Sequence, residues 1–209
     1  MAKEKLIMML TGTIILLILS LMALIGIGNS VVKDFKLPSV VLSVLFALAG
    51  GLNFIPQIRL GNFYFSIGTA ILYLSALFIW IFKGKIKNRL ICLLVTIVLS
   101  GVLYGATRIG AFYNSALWKR VNIYYALAVG IMAFALTRNA KYGFVSSVTA
   151  IGAAGLLTMI GSGINLDATF TPAVIAGTTA MIAYAVVAKF MPSRPNKATY
   201  YFETGRMTD

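Results

Sequence analysis

The hydrophobic positions of this chain fall into seven long runs separated by short polar breaks. The runs cover residues 6–28, 38–55, 63–82, 90–112, 121–137, 142–164 and 171–191. They lack the alternation of apolar and polar residues that marks a half-buried strand, and most approach the roughly 20 residues that a helix needs to cross a bilayer. The pattern therefore predicts an all-α membrane bundle of about seven transmembrane helices, with consecutive helices antiparallel because the breaks are short.

The two ends of the chain have different characters. Residues 1–191 are expected to form one transmembrane domain, whereas residues 192–209 are polar and are expected to be a disordered cytoplasmic tail. The tail contains the aromatic residues Tyr200, Tyr201 and Phe202, so the alternative is that the tail lies on the membrane surface. The first run, of about 23 residues, is longer than the apolar core of a signal peptide, so we expect a retained helix.

Composition supports the membrane class. The chain has 209 residues, of which 60% are hydrophobic and only 11% are charged, and its mean hydropathy is +0.92. Soluble domains are about 45–50% apolar and about 25% charged, because their outer faces need polar residues. A water-soluble fold is therefore excluded.

Basic residues at the ends of the runs predict the orientation. The net charge is +13, and 12 of the 18 Lys and Arg residues fall on one side if all seven runs span. The positive-inside rule puts that side, with the C-terminus, in the cytoplasm, where it would meet anionic lipids. If residues 38–55 were re-entrant, the N-terminus would change sides but the C-terminus would not. The same placement of charge argues against nucleic-acid binding.

The inventory of reactive side chains is small. The chain has no His, a single Cys (Cys92) and five acidic residues, of which only Asp167 lies near the membrane core. Imidazole acid–base chemistry, paired carboxylates and a disulfide within the chain are thus excluded. We expect a non-enzymatic protein without a metal or cofactor, with an enzyme that acts on lipid through Lys, Tyr or Arg as the alternative. We expect Cys92 to be a packed hydrophobic side chain.

Two interrupted segments resemble each other. Residues 47–70 and 153–180 each combine an apolar helix, a break with Gly, Pro or Asn, an aromatic residue and a helix that carries Gly-Thr-Ala or Gly-Thr-Thr-Ala. They indicate that helices one to three and helices five to seven form a parallel repeat, with the fourth helix between the two halves. Interrupted hydrophobic segments at corresponding positions of two halves are typical of transport sites.

The polar residues of these breaks form the candidate site. They are expected on one face of the membrane, together with an arginine at the end of the fourth run: Asn53, Gln57, Arg59, Arg108, Asn165 and Asp167. Three interpretations remain open, namely loop and helix-capping roles, a structural Arg–Asp pair, and a site for a solute or ion.

Small residues at helical spacing predict close packing between helices. The pairs are Gly101 and Gly105, Ala126 and Gly130, Gly152 and Gly155, and Ala173 and Gly177. Such residues let two backbones approach each other in a membrane. We expect contacts within the chain, with a homodimer seam as the alternative.

Three resemblances bear on function. Pro56-Gln57 resembles the proline-glutamine loop of small sugar and amino-acid transporters, which have seven helices in two triple-helix repeats. The dipeptide falls on the second run, however, and Gly161-Ser162 stands in the proposed second repeat. The stretch 161–165 resembles the phosphate loop of glycerol-phosphate acyltransferases, whose chemistry needs a His that is missing here.

The overall layout, over about residues 38–190, is similar to small prokaryotic multi-pass membrane proteins of unknown function with broken helices in two halves. This resemblance carries over no catalytic or binding residue. The sequence therefore predicts a small-solute permease-like or transport-associated protein of the cytoplasmic membrane. The alternative is a non-catalytic scaffold or accessory subunit that binds a membrane partner or a second copy of itself.

Overall fold

The computed structural model describes residues 2–27, 29–81, 85–108, 116–159 and 164–190, with side chains for all of these except 2–9, 29, 30, 108 and 116–122. The described chain is 85% helical, which confirms the predicted all-α class. Its helices are α1 (Ala2–Ile25), α2 (Asn29–Phe35), α3 (Ser39–Gly51), α4 (Ile67–Ile81), α5 (Ile86–Arg108), α6 (Ala116–Thr137), α7 (Ala140–Met159) and α8 (Asp167–Phe190). A 3-10 turn (Leu52–Phe54) follows α3, and three short strands are β1 (Ile58–Leu60), β2 (Phe63–Phe65) and β3 (Ile164–Asn165).

Each predicted run overlaps one helix of the described chain, and the short α2 is additional. Three helices contain segments long and apolar enough to cross a membrane: Ile86–Thr107 in α5, Ala140–Met159 in α7 and Asp167–Phe190 in α8. Shorter apolar helical segments occupy Leu10–Ile25, Ser39–Phe54, Ile67–Ile81 and Ile123–Thr137. These helices are compatible with a membrane protein. The predicted tail, residues 192–209, lies outside the described residues.

The two breaks contain extended chain that the apolar pattern did not predict. A two-residue turn, Gly61-Asn62, joins β1 to β2, and Gly61 has a φ of 59° that suits a residue without a Cβ. β2 then pairs in parallel with β3, with Phe63 opposite Ile164 and Tyr64 opposite Asn165. Because β3 precedes α8 and β2 precedes α4, the small sheet brings the starts of these two helices together.

Helix α7 lies in the middle of the bundle and contacts α4, α5, α6 and α8. Its Phe144 ring packs against Phe35 of α2 and Phe46 of α3, with ring centroids 5.8 Å and 5.6 Å apart. All three rings are buried. This aromatic cluster anchors α2 and α3 to the central helix.

Glycines mark close contacts that α7 makes with α4 and α8 and that α6 makes with α8, as their spacing predicts. A Cβ at Gly152 would lie 2.5 Å from the Tyr73 ring, and one at Gly177 would lie 2.7 Å from the Phe144 ring. A Cβ at Gly130 would collide with the carbonyl oxygen of Ala176. Internal packing is therefore confirmed for these three positions.

Helix α5 departs from that expectation. A Cβ at Gly101 or Gly105 would meet nothing within 4 Å among the residues that the structure describes. Both glycines lie on an apolar face that also carries Leu94, Ile97 and Val102, each about 60% exposed. The predicted internal packing is wrong at this pair, because α5 lies at the edge of the bundle and turns its small residues outward.

Described basic residues from three of the breaks, Lys36, Arg89 and Lys141, lie together at the end of the bundle opposite the small sheet. Asp34 of α2 accepts hydrogen bonds from Asn139 Nδ2 at 2.8 Å and from the Ala140 amide at 2.7 Å, and so caps the start of α7. Cys92 of α5 is buried and packs against the Tyr142 carbonyl, as its apolar surroundings predict. These contacts place the starts of α5 and α7 and the end of α2 side by side.

Candidate functional site

The Asp167 carboxylate is held by three hydrogen-bond donors from the other interrupted segment. Its Oδ1 accepts bonds from the Ser66 amide and the Thr69 hydroxyl, both at 2.7 Å. Its Oδ2 accepts a bond of 2.5 Å from Gln57 Nε2. Asp167 is 5% exposed. Because a buried carboxylate is costly unless its oxygens are hydrogen-bonded, these donors account for its burial.

Two helix N-termini meet at this carboxylate. Ser66 caps α4, since its Oγ accepts a bond of 3.2 Å from the Thr69 amide. Asp167 itself begins α8, and its amide donates a bond of 3.2 Å to Asn165 Oδ1. The N-terminus of a helix carries a partial positive charge, so both helices stabilise a negative charge at Asp167.

A second layer of polar side chains lies behind the carboxylate. The Ser66 hydroxyl donates to Asn53 Oδ1 at 2.5 Å, and Asn53 Nδ2 in turn lies 3.5 Å from Thr13 Oγ1 of α1. Asn53, Ser66 and Thr13 are all buried. We call the set Thr13, Asn53, Gln57, Ser66, Thr69 and Asp167 the Asp167 cluster. It links α1, the end of α3, the start of α4 and the start of α8.

One face of the Asp167 cluster borders a cavity. The cavity has a volume of about 240 Å³ and lies between α1 and the first break, where Leu10, Thr13, Asn53, Pro56 and Gln57 contribute to its lining. Gln57 is exposed, whereas the carboxylate that it contacts is buried. Its side chain therefore contacts both Asp167 Oδ2 and the cavity.

A neighbouring polar contact joins α4 to α8. The Tyr73 hydroxyl lies 2.6 Å from Thr169 Oγ1, and that Oγ1 also donates to the Leu166 carbonyl at 2.7 Å. Since the only proton of the Thr169 hydroxyl goes to Leu166, Tyr73 is the donor in the first bond. A Cβ at Gly155 of α7 would collide with the Thr169 methyl group, so α7 packs directly on this contact.

Four of the six candidate residues come together. Asn53, Gln57 and Asp167 belong to the Asp167 cluster, and Asn165 caps the same helix start. Asn165 thus has the capping role that was one of the predicted alternatives. The sequence expectation that the two breaks share one end of the bundle agrees with this geometry.

Arg59 does not join the Asp167 cluster. Arg59 lies on the exposed strand β1 with its guanidinium 4.9 Å from the centre of the Tyr64 ring, a cation–π contact. Among the described side chains, no Lys or Arg pairs with Asp167. The structural Arg–Asp pair is therefore not formed by Arg59, because the β1–β2 pairing directs it to its cross-strand neighbour. The Arg108 side chain lies outside the described residues.

Four polar residues near the carboxylate were not among the predicted site residues: Thr13, Ser66, Thr69 and Tyr73. A local signal marks two of them. Both lie inside the predicted run 63–82, but Ser66 is a residue type that favours a helix N-cap, and Thr69 follows three residues later, where the amide bonded by such a cap lies. Thr13 and Tyr73 lie inside apolar runs without such a signal, and only the packing of α1 and α4 against α8 gives them a role.

Comparison of this chain with protein-family models, with curated proteins and with solved structures finds no match.

Proposed function

We propose that this chain is a small-solute permease-like membrane protein in which the solute binds at the Asp167 cluster. The observation that carries the proposal is a buried carboxylate without a charged partner among the described side chains, connected to a cavity through the exposed Gln57. Ionisable groups inside membrane proteins commonly mark substrate or ion pathways.

The position of the cluster supports this proposal. It lies where two interrupted hydrophobic segments meet, one ending in the strands β1 and β2 and the other in β3. Interrupted helices whose ends face a cavity are the usual construction of solute sites in transporters. The proposed repeat of two three-helix halves would relate these two breaks to each other.

The chemistry of the cluster favours one class of solute. The Gln57 amide donates to Asp167 Oδ2, so a solute that replaces it must offer a hydrogen-bond donor there. Ammonium and hydroxyl groups meet this requirement, whereas an anion would be repelled by the carboxylate. We therefore propose an amine or a polyhydroxylated molecule as the solute, bound without chemical conversion.

In the proposed arrangement seven helices cross a cell membrane, and the basic end around Lys36, Arg89 and Lys141 faces the cytoplasm. The positive-inside rule supports this orientation. The C-terminus then lies in the cytoplasm and the Asp167 cluster opens to the opposite side.

Thermal unfolding of the purified protein against ions, sugars, amino acids, nucleotides and lipids tests the proposal. A ligand that binds the folded state raises the unfolding midpoint. We expect an amine or polyol to stabilise the wild type and to lose its effect in Asp167→Asn. The matched control is Asp34→Asn, because Asp34 also accepts two hydrogen bonds but lies at the other end of the bundle. A solute response that survives Asp167→Asn, or no solute response in the wild type, would contradict the proposal.

One observation favours a different function, that of a scaffold or accessory subunit. Gly101 and Gly105 of α5 leave an open small-residue strip within an exposed apolar face. Such a strip suits close approach of a second helix, from a partner protein or another copy of this chain. Cross-linking through Gly101→Cys in native membranes, with a Cys92→Ala background, distinguishes this alternative. A specific cross-linked product without any solute response in the first experiment would favour the scaffold.

A further inference from the structure

The basic end of the bundle has more positive than negative charge. Lys36, Arg89 and Asp34 all lie within electrostatic range of Lys141. Lys141 is itself only 2% exposed, and its Nζ lies 5.3 Å from the centre of the Tyr142 ring. Both oxygens of Asp34 already accept bonds from Asn139 and Ala140. Three cations therefore share one carboxylate at the edge of the proposed membrane, which favours the binding of an anion.

Of these cations, Arg89 has a buried hydrogen-bond donor that no described residue accepts from. Its Nε is buried and has no hydrogen-bond partner among the described residues. Its backbone is fixed, because the Trp80 indole donates a bond of 3.1 Å to the Arg89 carbonyl. A guanidinium presents several N–H donors in one plane and matches the oxygens of a phosphate group better than an ammonium does. The side chain is thus suited to a phosphate ligand.

An apolar groove begins one turn of α5 beyond Arg89, at Cys92 and Leu93, and runs along the bundle. It has a volume of about 250 Å³ and lies between α4, α5 and α7, where Leu77, Trp80, Leu93, Thr96, Ile97 and Val145 line it. Trp80 belongs to both features, since it lines the groove and bonds to Arg89. Leu93 and Ile97 are more than 40% exposed, so the groove is open at the side that faces lipid in the proposed arrangement.

We propose that this groove holds an anionic phospholipid, with its phosphate at Arg89 and one acyl chain along α4, α5 and α7. Charge complementarity at Arg89 selects the headgroup, and the apolar walls exclude a free phosphate ion as the natural ligand. The site lies at the end opposite Asp167, so it does not depend on the proposed solute site. It also differs from general attraction to anionic lipid, because one arginine and one groove define it.

Lipid-dependent thermal unfolding of the full chain in detergent tests this site. Phosphatidylglycerol is expected to raise the unfolding midpoint, whereas phosphatidylcholine with the same acyl chains and inorganic phosphate are not. Arg89→Gln is expected to raise the apparent Kd for phosphatidylglycerol about tenfold, since a hydrogen-bonded charge pair is lost. Lys87→Gln is the matched control, because it removes the same charge from an exposed position of the same helix start.

A second pair of variants tests the groove and remains informative if Arg89→Gln does not fold. Leu93 lines the groove, whereas its neighbour Leu94 is 62% exposed and is not among the groove residues. Leu93→Ala is expected to weaken phosphatidylglycerol binding and Leu94→Ala to leave it unchanged. The proposal is overturned if Lys87→Gln and Arg89→Gln change the Kd for phosphatidylglycerol equally, or if the two leucine variants do. It is also overturned if the two lipids raise the unfolding midpoint equally.

Discussion

Gln57 Nε2 lies 2.5 Å from Asp167 Oδ2, so two side chains 110 positions apart join the two interrupted segments of this chain. The bond closes the Asp167 cluster on the side of the 240 Å³ cavity. The other two donors, Ser66 and Thr69, both lie at the start of α4. The geometry makes Asp167 the meeting point of α4 and α8.

We expect removal of the Asp167 carboxylate to lower the free energy of unfolding more than its neutralisation does. Asp167→Ala leaves the buried Ser66 amide without an acceptor and the Thr69 hydroxyl with the longer bond of 3.4 Å to Asn53 Oδ1, and we expect a loss of about 3 kcal/mol in the free energy of unfolding. Asp167→Asn keeps one oxygen for these donors, and Gln57 can turn its amide to accept from the new NH₂ group. We expect a loss of about 1 kcal/mol there. Denaturant unfolding of both variants measures the difference, and equal losses would contradict the described network.

Close packing at the start of α4 gives a second prediction. A Cβ at Gly68 would lie 2.5 Å from the Asn53 amide nitrogen and 2.7 Å from the Asn53 Cα, and it would also collide with the Ala49 carbonyl oxygen. Because these are backbone atoms, Gly68→Ala should destabilise the protein by about 2–3 kcal/mol. Gly101→Ala is the control, since that position is open and alanine favours a helix. The prediction fails if the two variants have the same unfolding midpoint.

The contact between α4 and α8 can be measured by a double-mutant cycle. Tyr73→Phe removes the donor to Thr169 and should cost about 1 kcal/mol of unfolding free energy. Thr169→Val should cost more, because it also removes the bond to the Leu166 carbonyl. The combined variant should cost less than the sum of the two. Strict additivity would show that the hydroxyl groups do not interact.

The cap of α7 provides a prediction at the opposite end. Asp34→Ala removes acceptors from Asn139 and the Ala140 amide, and we expect a loss of about 1–2 kcal/mol in unfolding free energy. Lys33→Ala changes the neighbouring exposed residue and should have little effect. Thermal unfolding measures the midpoints of the two variants. Similar midpoints would argue against a capping role for Asp34.

The sequence was sufficient to predict the helical class and four of the residues near the carboxylate. Long uniform apolar runs leave little choice of secondary structure, because a helix satisfies its own backbone hydrogen bonds. Asn53, Gln57, Asn165 and Asp167 were identified because polar residues interrupt those runs. The helix starts were less accurate: α4 begins at Ile67 after a strand, and α8 begins at Asp167, before Pro172.

The remaining features depend on contacts between distant residues. The parallel pairing of β2 with β3 has no local signature, so nothing in the sequence indicated that Arg59 would lie against Tyr64 and not Asp167. Thr13 shares α1 with other hydroxyl residues such as Thr11 and Ser20, and its role depends on the position of Asn53. The direction of the Gly101 and Gly105 face depends on how α5 rotates at the edge of the bundle.

Solute counterflow in proteoliposomes tests the central proposal most directly, with the solute that stabilises the wild-type protein. Vesicles preloaded with that solute should accumulate its radiolabelled form when they contain the wild-type or the Asp34→Asn protein. Vesicles with Asp167→Asn should behave like empty ones. Equal accumulation by the wild type and Asp167→Asn, or none above empty vesicles for any protein, would contradict a solute site at Asp167.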